Sequence, residues 1–358
     1  MAGFEVPSGK SAAAAVPAGR VTLRDIAEAV GVSISTASRA LSGAPGISVD
    51  VRSRIQSTAE RLNYAGVVTG TATVISELDV PDGSAGEFVL AVQRGIEKRA
   101  RELGLALSVT HAGPSSLAWL EPDDGTSGYL LLSMQREDII EHLSARAVPA
   151  VIVNGREPLM RLDAVAPANH TGGYLGARHL LELGHRRILV LAHSPRPTIR
   201  DRMAGSRRAM EEVGLAADGD LTIELEAMRT DLAYKAVKGR IAARGGCDFT
   251  AILCYNDSCA FGAMAALTEA GLSVPGDVSI IGFDDIPTAA LNSVPLTTIR
   301  VEAEDIGARS VTRLIERMRG QDGLATYTET AVRLVVRDST GPARSERVIR
   351  VIAPAPVA

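Results

Sequence analysis

The sequence predicts an α/β protein in two parts: an N-terminal three-helix unit built as a helix-turn-helix, then a larger region of two lobes with parallel sheets. Residues 21 to 41, VTLRDIAEAVGVSISTASRAL, read as two short helices around a tight Gly turn. From about residue 72 short apolar runs alternate with longer amphipathic stretches, the pattern of parallel strands joined by crossover helices. At 358 residues the chain exceeds one domain, since a prior of about 150 residues per domain suggests two or three units.

Local chemistry justifies each helix of the first part. Thr22 and Asp25 have the spacing of a capping box, in which each side chain satisfies an open amide of the other. Leu23, Ile26 and Val30 then share one face, and Ala27 is small enough for a second helix to approach. Gly31 suits the positive φ of a helix stop, and Ser33 restarts the chain as the next N-cap. In the second helix Ala37, Ala40 and Leu41 point inward, leaving Ile34, Ser35, Ser38 and Arg39 outward. A third helix from Val49 to Leu62, capped by Ser48, carries the stripe Val51, Ile55, Ala59 and Leu62 that closes a minimal core.

Such a unit reads as a DNA binder, because the N-terminal residues of the second helix of a helix-turn-helix enter the major groove. Arg39 can fork onto a guanine edge or clamp a phosphate. Residues 20 to 63 hold six arginines against four acidic residues, a net charge of +2 in a chain whose total is -4. Positive charge thus gathers where phosphates would lie. The plainer alternative is an ordinary helical hairpin with a solvated polar face; caps, Gly turn, Ala spacing and outward arginine together favour the DNA-binding reading.

Composition constrains the rest. Hydrophobic residues make up 46% of the chain but aromatics only 3%, so the core must be Ala, Val, Leu and Ile. Cys247, Cys254 and Cys259 lack metal-ligand spacing and read as small buried hydrophobes of a reducing cytosol. The run AAAAV near the start is too short for a signal peptide, and no stretch reaches the roughly 18 apolar residues of a membrane span. The expectation is a cytoplasmic protein with no membrane partner. No GxGxxG after the first strand, GxxxxGK[ST], GxSxG or HExxH motif occurs, and His111, His170, His179, His185 and His193 are scattered. We therefore expect no enzyme, no catalytic residue, no metal and no cofactor.

In the larger region TATVISEL, LALSVT, GYLLLS, PAVIVN, RRILVLA, TAILCY and DVSIIGF read as buried strands. Residues 87–103, 137–147, 171–183, 201–213, 232–244 and 258–270 read as helices, and Gly104, Gly184, Gly214 and Gly271 stand at helix ends. Two sheets in succession fit the length.

The segment VTLRDIAEAVGVSISTASRALSG, continued to ERLNY at residues 60 to 64, resembles the N-terminal signature of the LacI/GalR family of bacterial transcriptional regulators. The blocks HLLELGHRRILVLA, DRMAGSRRAMEEVGL, YNDSCAFGAMAALTEAGLSVPGDVSIIGFDD, PLTTIR and RLVVRDSTGP resemble the family's effector-binding half, which has a two-lobed periplasmic-binding-protein-like fold. The resemblance implies a disordered tail at 1–19, a DNA-binding domain at 20–64, a shortened linker at 65–72, an effector-binding and dimerisation domain at 73–342 and a second tail at 343–358. It implies DNA contacts at Thr22, Ser33, Ile34, Ser35, Thr36, Ser38, Arg39, Asn63 and Tyr64. In the cleft between lobes it implies effector contacts at Phe88, Arg202, Asn256 and Asp284.

Each effector residue has a competing role. Phe88 can stack on a ring or pack in the core; Arg202 can bind a ligand or merely pair with Asp201 or Glu211; Asp257 and Asp285 can be helix N-caps, the preferred reading for Asp257. Two departures from the family stand out. The segment NYAGVVTGTATVISEL is about ten residues short of the family's hinge helix and lacks its leucine wedge, so the minor-groove kink is in doubt. Between LALSVT and GYLLLS a full helix is replaced by a shorter stretch broken at Pro114 and Pro122, and Ala168 stands where the family carries an aspartate beside Asn169.

Three classes of function compete: a regulator, a solute receptor and an α/β enzyme. The helix-turn-helix selects the first. The expected protein is a repressor that binds double-stranded operator DNA as a homodimer, one motif per half-site, under control of a small-molecule effector such as a sugar or similar polar metabolite.

Overall fold

Thr22 accepts the amide of Asp25 at 3.4 Å while the Asp25 carboxylate accepts the amide of Thr22 at 2.6 Å, closing the capping box that starts α1 (Leu23–Val30). Gly31 ends the helix at φ 76°, a region where only glycine is unstrained. Ser33 Oγ accepts the amide of Thr36 at 3.0 Å to start α2 (Ile34–Leu41), and Ser48 caps α3 (Val49–Arg61) through the amide of Val51 at 3.4 Å. The three helices bury Ile26, Ala27, Val30, Ala37, Ala40, Ile55 and Ala59, flanked by Leu23, Leu41, Val51 and Leu62. Arg52 donates to the Ala40 carbonyl at 2.9 Å and Arg54 to the Val30 carbonyl at 3.1 Å, so α3 satisfies the last turns of the other two helices.

The computed structural model describes residues 21–344, apart from residues 42–45, 63, 65–69, 77–83, 112–116, 118–119, 121–125, 135, 216–218 and 322. The chain divides into two compact units, the second beginning at Gly70. The first strand, β1 (Thr71–Ser76), takes the last two residues of the segment expected to be linker. The question of a hinge helix, the first expected tail, the second from residue 345, and most of the stretch broken by Pro114 and Pro122 fall outside the described residues. Ala343 and Arg344, expected to open the second tail, are instead bonded to the second lobe, through the Leu183 carbonyl at 2.8 Å and the Asp277 carbonyl at 2.8 Å.

The second unit holds two six-stranded sheets. The first runs in the order β11 (Tyr327–Thr330), β5 (Asp163–Pro167), β4 (Ala150–Val153), β3 (Thr126–Leu132), β1, β2 (Ala106–His111), all parallel. The second runs β12 (Val332–Val335), β10 (Thr297–Val301), β9 (Ser279–Asp284), β8 (Ala251–Cys254), β6 (Ile188–Ala192), β7 (Thr222–Glu224), with only β10 and β12 antiparallel. The chain passes between lobes three times: after β5, after β10, and between β11 and β12.

All seven apolar runs form strands, and all six helical stretches form helices: α4 (Ser84–Leu103), α5 (Glu137–Ala145), α6 (Asn169–Glu182), α7 (Pro197–Glu212), α8 (Thr230–Arg244) and α9 (Asp257–Glu269). Gly104, Gly184, Gly214 and Gly271 all have positive φ at helix ends. Among the described residues β5, β7, β10, β11, β12, α10 (Pro287–Leu291) and α11 (Ala303–Met318) come in addition. The last of these returns to the first lobe, where Gly307 and Gly95 bring its backbone against that of α4. Gly173 of α6 and Gly205 of α7 do the same in the second lobe: a Cβ on Gly173 would meet the carbonyl of Arg202, and one on Gly205 that of His170.

Candidate DNA-reading helix and interlobe site

The free face of α2 carries exposed Ser33, Ile34, Ser35, Ser38 and Arg39, with Thr36 half-buried. Ser33 Oγ lies 2.8 Å from both Ser35 Oγ and Thr36 Oγ1, so three hydroxyls gather at the start of the helix. Thr22 is exposed, but its side chain is committed to the α1 cap. Tyr64 packs partly buried on the three-helix core, and its amide donates to Ala59 at 2.8 Å, so it closes the end of α3. Asn63 lies outside the described residues. Of the arginines counted as phosphate partners, Arg52 and Arg54 serve the helix ends, whereas Arg24, Arg39 and Arg61 are exposed.

The backbone contact of α6 with α7 carries Arg202 to Asn169. Arg202 Nε donates to Asn169 Oδ1 at 2.8 Å, and Nη1 donates to the Tyr255 carbonyl. Its guanidinium lies 3.5 Å over the Phe283 ring, which Gly172 leaves room for. The same Nη1 is 3.6 Å from Asp284 Oδ1 at the carboxyl end of β9, an ion pair too long for a hydrogen bond. Burial lowers Arg202 to about 10 and raises Asp284 to about 6, the arginine opposing the latter shift. Asp284 Oδ1 and Asn169 Nδ2 are buried with no hydrogen-bond partner among the described residues.

The first lobe presents its strand ends to the same side. Ser133 after β3 and Asn154 after β4 both take positive φ, and Asn154 Nδ2 donates to Ser133 Oγ at 3.0 Å, leaving Asn154 Oδ1 buried and unpaired. Two bridges show that the carboxyl ends of both sheets face each other. Arg156, beyond β4, reaches Asp201 on α7 at 3.2 Å, and Glu87 on α4 accepts from the Thr288 amide of α10 at 3.4 Å. Among the described residues no cluster of three or more His, Cys, Asp or Glu could hold a metal, and no helix is long and apolar enough to cross a membrane.

Comparison with known proteins decides the identity. Residues 22–66 match the model of bacterial regulatory proteins of the lacI family, and residues 177–340 match a periplasmic binding protein-like domain. The chain is 30% identical over 345 residues to the HTH-type transcriptional regulator DegA of Bacillus subtilis, covering 90% of this chain and 99% of that one. The chain belongs to the LacI family of bacterial regulatory proteins. It is a LacI-type DNA-binding transcriptional regulator. Among solved structures, it is similar to the transcriptional regulator CelR in complex with cellobiose, at TM-score 0.68 and 25% identity over 89% of this chain and 100% of that one. It is also similar to the lac repressor dimer bound to operator and the anti-inducer ONPF, at TM-score 0.67 and 26% identity over 90% of this chain and 100% of that one.

Within this LacI-family site the residues expected to meet effector divide. Arg202 and Asp284 come together. Asn256 instead caps α9, accepting the Cys259 amide at 2.8 Å and donating to the Met228 carbonyl at 3.0 Å. Asp257, expected as that cap, is the fully buried first residue of the helix, where its carboxylate accepts from Thr298 Oγ1 at 2.6 Å and from the Ile286 amide at 3.0 Å. Asn256 thus takes the capping role expected of Asp257, while Asp257 is drawn into the core, where Gly282, lacking a side chain, leaves room for its carboxylate. Phe88 is buried on α4, 8% exposed, which favours core packing over a stacking platform. Asp285 caps no helix; Arg300 Nε and Arg337 Nη2 hold its carboxylate. Asp201, offered as a partner of Arg202, pairs with Arg156.

Ser133 and Asn154 escaped the sequence reading. The available signal was a polar residue directly after an unbroken apolar run, in GYLLLS and PAVIVN, which marks the carboxyl end of a buried parallel strand. Ala168 caps α6 without a side-chain bond, and Asn169, fully buried behind it, supplies the polar group there.

Proposed function

We propose that this LacI-family regulator is a cytoplasmic repressor that binds a pseudopalindromic operator as a homodimer. A polar, hydroxyl-bearing small molecule of the sugar class, held between the lobes, controls it. The observation that carries the effector reading is the set of buried, unpaired polar atoms on facing strand ends: Asp284 Oδ1, Asn169 Nδ2 and Asn154 Oδ1. Leaving such atoms unmade costs about 1–3 kcal/mol each, and a ligand with vicinal hydroxyls offers both donors and acceptors to them. The sugar class is further supported by CelR in its cellobiose complex and by the LacI family regulator of Enterococcus faecium with bound ribose, 28% identical to this chain over 76% of it.

The homodimer follows from the few base edges one α2 can reach and from the half-site symmetry of such operators. Leu90 on α4 and Leu291 on α10 are 50% and 81% exposed, apolar surface on the two helices that Glu87 and Thr288 join.

The test is fluorescence anisotropy of the full chain on DNA from its own upstream region against a shuffled duplex, at about 150 mM salt. A panel of mono- and disaccharides is then added. Nanomolar, selective binding altered by one sugar supports the reading. Equal binding to both duplexes removes the operator assignment for that DNA, and selective binding untouched by every sugar removes the sugar class.

A further inference from the structure

Ile34 is the first residue of α2, on the face turned away from the three-helix core, and it is 45% exposed. Ile34 is not among the residues packed on the three-helix core, and a β-branched side chain is a poor helix former, so the core of this unit does not call for it. Its polar neighbours are turned elsewhere. The Ser35 hydroxyl points back to Ser33 at 2.8 Å, and Thr36 Oγ1 joins the same hydroxyl at the same distance. What the tip of the helix offers a base pair at this point is a hydrocarbon surface.

In the major groove the methyl group that a hydrocarbon can meet is the 5-methyl of thymine, the other bases presenting chiefly hydrogen-bond donors and acceptors. An apolar side chain likewise has no affinity for phosphate, so backbone contacts fall to exposed cations such as Arg24 and Arg61. We propose that Ile34 reads a thymine 5-methyl group at one position of each operator half-site, so that base choice there rests on apolar contact instead of hydrogen bonding. This inference rests on the operator-binding reading above.

The experiment replaces that methyl group with hydrogen. Random-sequence duplexes are first enriched on the full-length protein, and each thymine of the preferred site is then exchanged, symmetrically in both half-sites, for deoxyuridine, which pairs identically. Burying one methyl group corresponds to about a fourfold change in affinity, so the wild type should lose about fifteenfold at one symmetric thymine. Ile34→Ala, checked by thermal melting to be folded, should bind the thymine and deoxyuridine sites equally. Val49→Ala, which truncates another strongly exposed aliphatic side chain among the described residues of this unit, should keep the full deoxyuridine effect. Insensitivity of the wild type to every deoxyuridine exchange overturns the inference, as does a deoxyuridine effect that persists undiminished in Ile34→Ala. Failure to enrich any sequence overturns the operator reading itself, whereas an enriched site without methyl sensitivity overturns the inference alone.

Discussion

Arg156 in the first lobe and Asp201 in the second stand 3.2 Å apart, and the arginine also lies 5.5 Å over the Tyr327 ring beside the last interlobe crossing. Asp201 immediately precedes Arg202 on α7, so this bridge between lobes stands next to the residue that faces Asp284. Arg156→Ala should leave thermal stability within about 1 kcal/mol, because the pair is largely solvated. Effector affinity should fall up to about fivefold as the two lobes lose a contact beside the site. Calorimetric titration with the active sugar checks this, and restoration by the charge swap Arg156→Asp with Asp201→Arg would attribute the loss to the pair.

Asp284→Ala should abolish the effector response and leave effector-free operator binding intact, since the side chain faces the interlobe site of one unit and the DNA-reading helix belongs to the other. Anisotropy with and without effector separates the outcomes. Loss of operator binding itself would assign Asp284 a structural role.

Effector binding should also depend on pH through this carboxyl. Burial raises it from 3.8 to about 6, so the folded protein holds its proton where the unfolded chain has lost it. That contribution to stability is present below the ordinary value and disappears as pH rises through about 6. A hydroxyl donor prefers the ionised form, so affinity runs the other way, rising with pH through about 6 and levelling above it. Titrations across that range should show the rise in the wild type and a flat profile in Asp284→Asn.

Gly173→Ala should destabilise the second unit by about 1–3 kcal/mol or more, because the added methyl group meets the Arg202 carbonyl, a backbone atom that moves only with α7. Denaturant unfolding reads the loss. Effector response should weaken with it, since the same contact sets Arg202 against Asn169.

Arg39→Ala should cost about 1–3 kcal/mol in operator affinity and relax the preference at one base pair. Selection of preferred sites by the two proteins makes the comparison, and an unchanged preference would move Arg39 from base to phosphate contact.

Local signals written over a few residues were legible in the chain itself. The Thr22–Asp25 box, the Gly31 stop, the Ser33 and Ser48 caps and the inward alanines all stand where spacing placed them, because each depends on neighbours within one or two turns. Seven strands and six helices followed from the alternation of apolar runs with amphipathic stretches. What the tertiary structure alone decided depends on residues far apart in sequence. Asn256 and Asp257 are adjacent and both able to cap a helix, and Asp257 enters the core on bonds from the distant Ile286 amide and Thr298 hydroxyl, in space that Gly282 leaves. Arg52 and Arg54 look like phosphate partners until α3 folds over the ends of α1 and α2. The helix α11, which buries Ile306, Val311, Leu314 and Ile315, is not among the stretches read from the sequence, and it packs in the first lobe, after the strands of the second, where Gly95 and Gly307 let its backbone meet that of α4. Side-chain roles at the interlobe site are set by which backbone can approach which, and that is a property of the folded chain.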